Sequence, residues 1–160
     1  LRITSPYNGS LAIGIPTKSE CSINISASGT WTAQVTDFPM DTPQQIPVNQ
    51  SGSGTAVSSP FSLEKGQYIF EREEIGEASP RYFLTDSTGN YLMDANNSYA
   101  QPGFGMLSPD TFKIIDVPQS GTYFVSAISN DKNPLPWHFS IVALPQVPQK
   151  GPGPAIRETV

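Results

Sequence analysis

The sequence predicts an all-β fold, an antiparallel, jelly-roll-like β-sandwich, and three observations carry that expectation. The first is turn chemistry. The chain holds 16 Pro and 13 Gly in 160 residues, and these residues punctuate short strands and break long helices. The second is periodicity: apolar side chains recur at every second position in one run after another, and no window keeps a helical period. The third is spacing. The runs return about every 10 to 20 residues with Gly-, Asn- and Asp-containing turns between them, the rhythm of sandwiches and barrels.

The most regular stretch lies near the C-terminal end, from Val117 to Val142. Tyr123, Val125 and Ala127 alternate in one run, and Trp137, Phe139 and Ile141 alternate in a second, across a polar, Pro-containing loop. The pattern reads as a β-hairpin with those side chains on one face. A lone hairpin is marginal in water, so that face requires a second layer opposite it.

Taken in order, residues 1–20 read as a first hairpin. Ile3 precedes an Asn8-Gly9 turn, and Leu11, Ile13 and Ile15 alternate after it. A second hairpin is expected over 21–35. There Cys21, Ile23, Ile25 and Ala27 alternate, Ser28-Gly29 turns, and Trp31, Ala33 and Val35 alternate again. Trp31-x-Ala33-x-Val35 matches Trp137-x-Phe139-x-Ile141 in register. A weak internal duplication and the common look of half-buried hairpins both account for the match. Residues 37–60 carry Pro39, Pro43, Pro47 and Pro60. A structureless loop of that length is unusual, so the stretch either holds an edge strand near Ile46–Gln50, with prolines blocking further pairing, or divides an N-terminal subunit from the main sandwich; the edge strand is the favoured expectation.

From Phe61 the rhythm is steady. Phe61 and Leu63 lead to a turn at Lys65-Gly66, and Tyr68, Phe70 and Arg72 follow on one face. Tyr82 and Leu84 lead to a turn at Asp86–Gly89, then Tyr91 and Met93; Phe112, Ile114 and Ile115 form the next run. Residues 94–110 read as a long polar loop holding Tyr99 and Phe104. The expected domain is a single sandwich over 1–144, most regular over 46–144. Residues 145–160, with Pro at 145, 148, 152 and 154, form an extended tail or linker.

Charge excludes some partners. Charged residues make up 14% of the chain and net charge is −5, with Lys and Arg scattered singly. No basic stripe exists for a nucleic-acid backbone or an anionic membrane surface, and no apolar run approaches a membrane span of about 20 residues. Low charge with abundant Ser, Thr and Asn points to an exported microbial protein, extracellular or on the cell surface. Leu1 opens the chain without a leader pattern, so a signal peptide or anchor is expected outside these residues. Cys21 is the sole cysteine, which rules out an internal disulfide.

Four stretches in order, "SGSGTAVSSPFSLEKGQYIF", "FLTDSTGNYL", "VPQSGTYFVSAI" and "WHFSIV", resemble secreted bacterial and archaeal β-sandwich modules of the pre-peptidase C-terminal type. The resemblance runs over roughly residues 50–143 and rests on Gly66, Asp86, Gly89, Gly121, Tyr123 and Trp137. It implies a non-catalytic appendage of exported proteins and assigns no activity of its own.

Candidate chemistry is sparse. His138, the only histidine, alternates out of phase with Trp137 and Phe139 and so faces away from the core. No Gly-x-Ser-x-Gly elbow supplies a nucleophile for it, and no catalytic residue is assigned. One His and one Cys cannot build a zinc site. Glu71 and Glu73 flank Arg72 at a strand end and read as a solvated edge. Calcium is the one cofactor the pattern admits: Asp86, Thr88 and Asn90 have the alternating spacing of oxygen ligands, with Asp94 nearby. The competing account is a tight turn in which Asp86 bonds its own backbone. Tyr99 and Phe104 in the loop, and Phe124 on the face opposite Tyr123, are the candidate platform for stacking a sugar. The expected function is a non-catalytic spacer or interaction module meeting a protein or polysaccharide at the cell surface; the alternative is a carbohydrate-binding module.

Overall fold

The structure, a computed structural model, describes residues 8–15, 20–37, 41–73, 80–98, 100–104, 110–129 and 135–145. Within them the fold is all-β and antiparallel, in two layers. The strands are β1 (Val48–Ser53), β2 (Ala56–Val57), β3 (Phe61–Leu63), β4 (Gly66–Arg72), β5 (Arg81–Asp86), β6 (Phe112–Val117), β7 (Gly121–Ile128) and β8 (Pro136–Ala143). One sheet has the order β1-β8-β4-β6. The other is built around β7: β2 and β3 pair with its two halves, and β5 pairs along Tyr123–Ile128.

The core lies between the sheets and follows the alternation. Phe61, Leu63, Tyr82, Leu84, Tyr123, Val125 and Ala127 come from one layer, and Val48, Tyr68, Phe70, Ile115, Val117, Trp137, Phe139 and Ile141 from the other. Its centre is aromatic. Phe139 stacks on Phe70 at 5.3 Å and on Trp137 at 6.0 Å, and Tyr82 meets both phenylalanines edge-on or tilted. The Trp137 indole lies over its cross-strand partner Gly52 so closely that a Cβ there would fall inside the ring. The expected edge strand exists as β1, at the rim of its sheet.

Two expectations are corrected. β7 and β8 do not form a hairpin with each other: they lie in opposite sheets, β7 pairing with β2, β3 and β5, and β8 with β1 and β4. Shared alternation marks side chains that meet, and across a sandwich they meet face to face as readily as side by side. β3 and β4 likewise separate into different sheets. The second correction concerns the N-terminal region. Over residues 8–15 and 20–37 no strand forms. Ile23, Ile25, Trp31 and Val35 are exposed, the Trp31 side chain at 56%. Among the described residues their alternation has no sheet to bury against. Residues 1–7, with Ile3, and the tail from 146 lie outside the described residues.

Candidate interaction surface

The outer face of the β1-β8-β4-β6 sheet carries the groups that sequence alternation turns away from the core. Cross-strand register sets Ser140 beside both Asn49 and Glu71, and His138 beside Ser51. Together with Arg72, Glu73 and Thr111, the residues Glu71, His138 and Ser140 line a shallow, open cleft of about 380 Å³. Both imidazole nitrogens of His138 are engaged: Nε2 lies 2.6 Å from Asn49 Oδ1, and Nδ1 lies 3.4 Å from Glu73 Oε2. Ser140 shares the cleft and is not a partner of the ring. Arg72 lies under this face. It is buried, donates from Nε to the Asp110 carbonyl at 3.1 Å, and sets its guanidinium 4.4 Å above the Phe104 ring.

Beside the cleft the same face becomes apolar. Ile69 pairs across to Ile114 on β6 and to Val142 on β8. Ile114 and Phe112 are more than half exposed, Val142 is exposed at 37%, and Ile69 is half-buried. β6 has no strand beyond it within the described residues. A contiguous apolar row beside an open strand edge is what a partner surface requires. Sequence reasoning passed over this row, although a signal was present. Tyr68-Ile69-Phe70, Ile114-Ile115 and Ile141-Val142 are consecutive apolar residues where a strand with one wet face would carry a polar one.

The candidate sugar platform is not assembled. Phe124 is buried at 2% exposure, beside buried Thr85 and Ser126. It projects from the central strand, flanked on both edges, and its outer face is closed to solvent, so the expectation of an exposed ring is corrected. Phe104 packs on Phe70 at 5.8 Å and on Tyr82 at 6.5 Å, and its face is occupied by Arg72. Tyr99 lies outside the described residues.

The Asp86 loop has the geometry of a tight turn. Asp86 Oδ1 accepts from the Thr88 amide at 2.9 Å, the Thr88 hydroxyl at 2.6 Å and the Asn90 amide at 3.0 Å. Gly89 takes φ +82°, which a side chain would resist. Asp94 Oδ1 accepts from the Ser98 amide at 2.7 Å. These carboxylates serve their own loops, and among the described residues no cluster of three or more His, Cys, Asp or Glu is positioned to hold a metal. Among them, too, no helix is long and apolar enough to cross a membrane.

Burial raises the Tyr82 phenol to about 12, against a smaller opposing pull from the Arg72 cation. Tyr123 is also raised, first by burial and then by Asp86. Both are core packing groups. Comparison with protein-family models, with curated proteins and with solved structures finds no match to this chain.

Proposed function

We propose that this chain is a non-catalytic sandwich module of an exported, cell-surface protein, a spacer that also carries an interaction face. The observation behind the reading is the apolar row of Phe112, Ile114, Ile69 and Val142 on the outer face of the β1-β8-β4-β6 sheet. It abuts the polar rim of His138, Glu71 and Ser140, so a partner meets an apolar centre with hydrogen-bonding groups along one side. The partner class is a protein or polysaccharide of the cell surface. The cleft beside the row supports binding better than bond-making: it is open, its histidine is engaged at both nitrogens, and its serine stands apart from that ring. Low charge and the resemblance to pre-peptidase C-terminal modules support export.

The test is co-sedimentation of the labelled chain with cell-wall material, with Ile114→Asp and Val142→Asp as variants. Both positions are exposed, so the expected result is at least a tenfold loss of binding with an unchanged urea midpoint. Full binding by both variants contradicts the assignment of this face.

A further inference from the structure

We infer that residues 11–35 are the closing strands of a second sandwich of the same kind, one that precedes the described sandwich in the polypeptide. Their exposed apolar side chains are covered there by that unit's counterparts of β1 to β5.

The argument begins with a match that extends beyond the two tryptophans. Ile13-x-Ile15-Pro16 parallels Ile115-x-Val117-Pro118 at the end of β6. Ile23-x-Ile25-Ser26-Ala27 parallels Tyr123-x-Val125-Ser126-Ala127 in β7, and Trp31-x-Ala33-x-Val35 parallels Trp137-x-Phe139-x-Ile141 in β8. In sequence, Phe38-Pro39 then stands where Leu144-Pro145 stands. The order is the same throughout, and only the connecting turns differ in length, where length varies most freely. A chance hairpin would reproduce one alternating pair of runs. It would not reproduce three runs in order with Pro, Ser-Ala and Trp at their punctuation points.

Burial shows what the first set lacks. Ile115, Val117 and Trp137 are at most 4% exposed, whereas Ile13, Ile15 and Trp31 are exposed at 61%, 52% and 56%. The second set is buried in a core shared by two sheets, one in which β4 pairs with β6 and β8 and β1 with β8, the other in which β2, β3 and β5 pair with β7. The same side-chain pattern calls for the same covering layers. Residues 21–36 contain no charged side chain, which suits a sandwich interior and not a salt-bridged partner.

The seam with the described sandwich is already in place. The Ser10 amide donates to the Thr55 carbonyl at 3.1 Å, and Ser10 Oγ accepts from the Val57 amide at 2.9 Å. Gly14 sits so close to Gly89 that a Cβ on Gly89 would lie 2.6 Å from the Gly14 nitrogen. Over 11–15 the small residues Ala12 and Gly14 are half-buried, while Leu11, Ile13 and Ile15 point outward. The strand thus has one face on this unit and one left for its own. The inference goes beyond the spacer reading and does not rest on it, because its observations lie in residues 11–35 and not on the outer face of the β1-β8-β4-β6 sheet.

The test fuses residues 41–110, which carry the β1–β5 set, ahead of the complete chain, with both proteins labelled with fluorotryptophan so that Trp31 and Trp137 are read separately. In the chain alone, Trp31 is expected to be solvent-accessible, the protein monomeric and Trp137 shielded. In the fusion, Trp31 is expected to become several-fold less accessible to acrylamide, and Trp31→Asp to abolish that protection. A Trp31 equally accessible in both proteins overturns the inference. So does a Trp31 already shielded in the chain alone, whether as a monomer packed on its own sandwich or as an oligomer covered by a second copy. A reading independent of folding is the coding sequence ahead of Leu1. It must supply alternating strands in the order of β1 to β5 within about 100 residues, the size of one small domain, and a leader directly ahead of Leu1 overturns the proposal.

Discussion

Trp137 and Trp31 each head a run that alternates apolar and polar residues, yet one indole is 4% exposed and the other 56%. Trp137 lies against Gly52 and stacks on Phe139, in the core between the two sheets, on a strand paired with β1 and β4. Trp31 follows a bend at Ser28-Gly29, and residues 20–37 around it form no strand. The two regions show that alternation specifies which face of a segment is apolar but leaves open whether anything will cover it. Covering depends on partners distant in sequence: β1 reaches β8 across most of the domain, and β3 reaches β7 across the whole of β4 to β6.

That contrast can be broken by mutation. Trp137→Ala should cost about 3–5 kcal/mol of unfolding free energy, because it empties a fully packed core position. Trp31→Ala should change it by less than about 0.5 kcal/mol, as at other exposed sites. Urea unfolding of both variants checks this, and equal losses would place Trp31 in a core.

Alkaline titration sharpens the contrast next. The Tyr82 phenol is raised to about 12 by burial, above the value near 10 it takes once unfolded. Folding therefore retains its full stability below about pH 10 and loses it as pH rises through 12, by about 2–3 kcal/mol. Tyr82→Phe should remove most of that loss in pH-dependent urea melts. An unchanged alkaline slope would show that the ring is not buried among Phe70, Phe104 and Phe139.

Glycine replacement offers a third comparison. Gly52→Ala forces a methyl into the Trp137 indole and should cost about 1–3 kcal/mol through overpacking. Gly29, in the N-terminal bend, has nothing within 4 Å of the corresponding position, so Gly29→Ala should leave the melting temperature unchanged. A smaller loss than at Trp137 is expected at Asp86→Ala. Losing an acceptor for three donors should cost about 1 kcal/mol and loosen the turn that presents Gly89 to Gly14. Faster amide exchange at Ser10 would report it.

Much of the fold was legible because its signals are local. Turn residues and period-2 runs locate β3 to β8, and the proline-bearing stretch correctly implied an edge strand at β1. Sheet membership was not legible. Tyr123, Val125, Ala127, Trp137, Phe139 and Ile141 point to one core from opposite layers, and a linear pattern cannot separate that arrangement from a hairpin. The candidate platform failed at Phe124 for a related reason. Its outward direction was read correctly, but nothing in the neighbouring residues says that the outer face of a central strand is closed. The apolar row at Ile69, Ile114 and Val142 was written in consecutive apolar residues, and it becomes a surface only once β4, β6 and β8 lie side by side.

Amide hydrogen exchange on the 160-residue chain tests the central contrast most directly, because it reads pairing residue by residue. Strong protection is expected at 123–127 and 137–141, with none at 23–27 and 31–35. Comparable protection in both sets would mean that the N-terminal runs are already paired, and the contrast between the two regions would not stand.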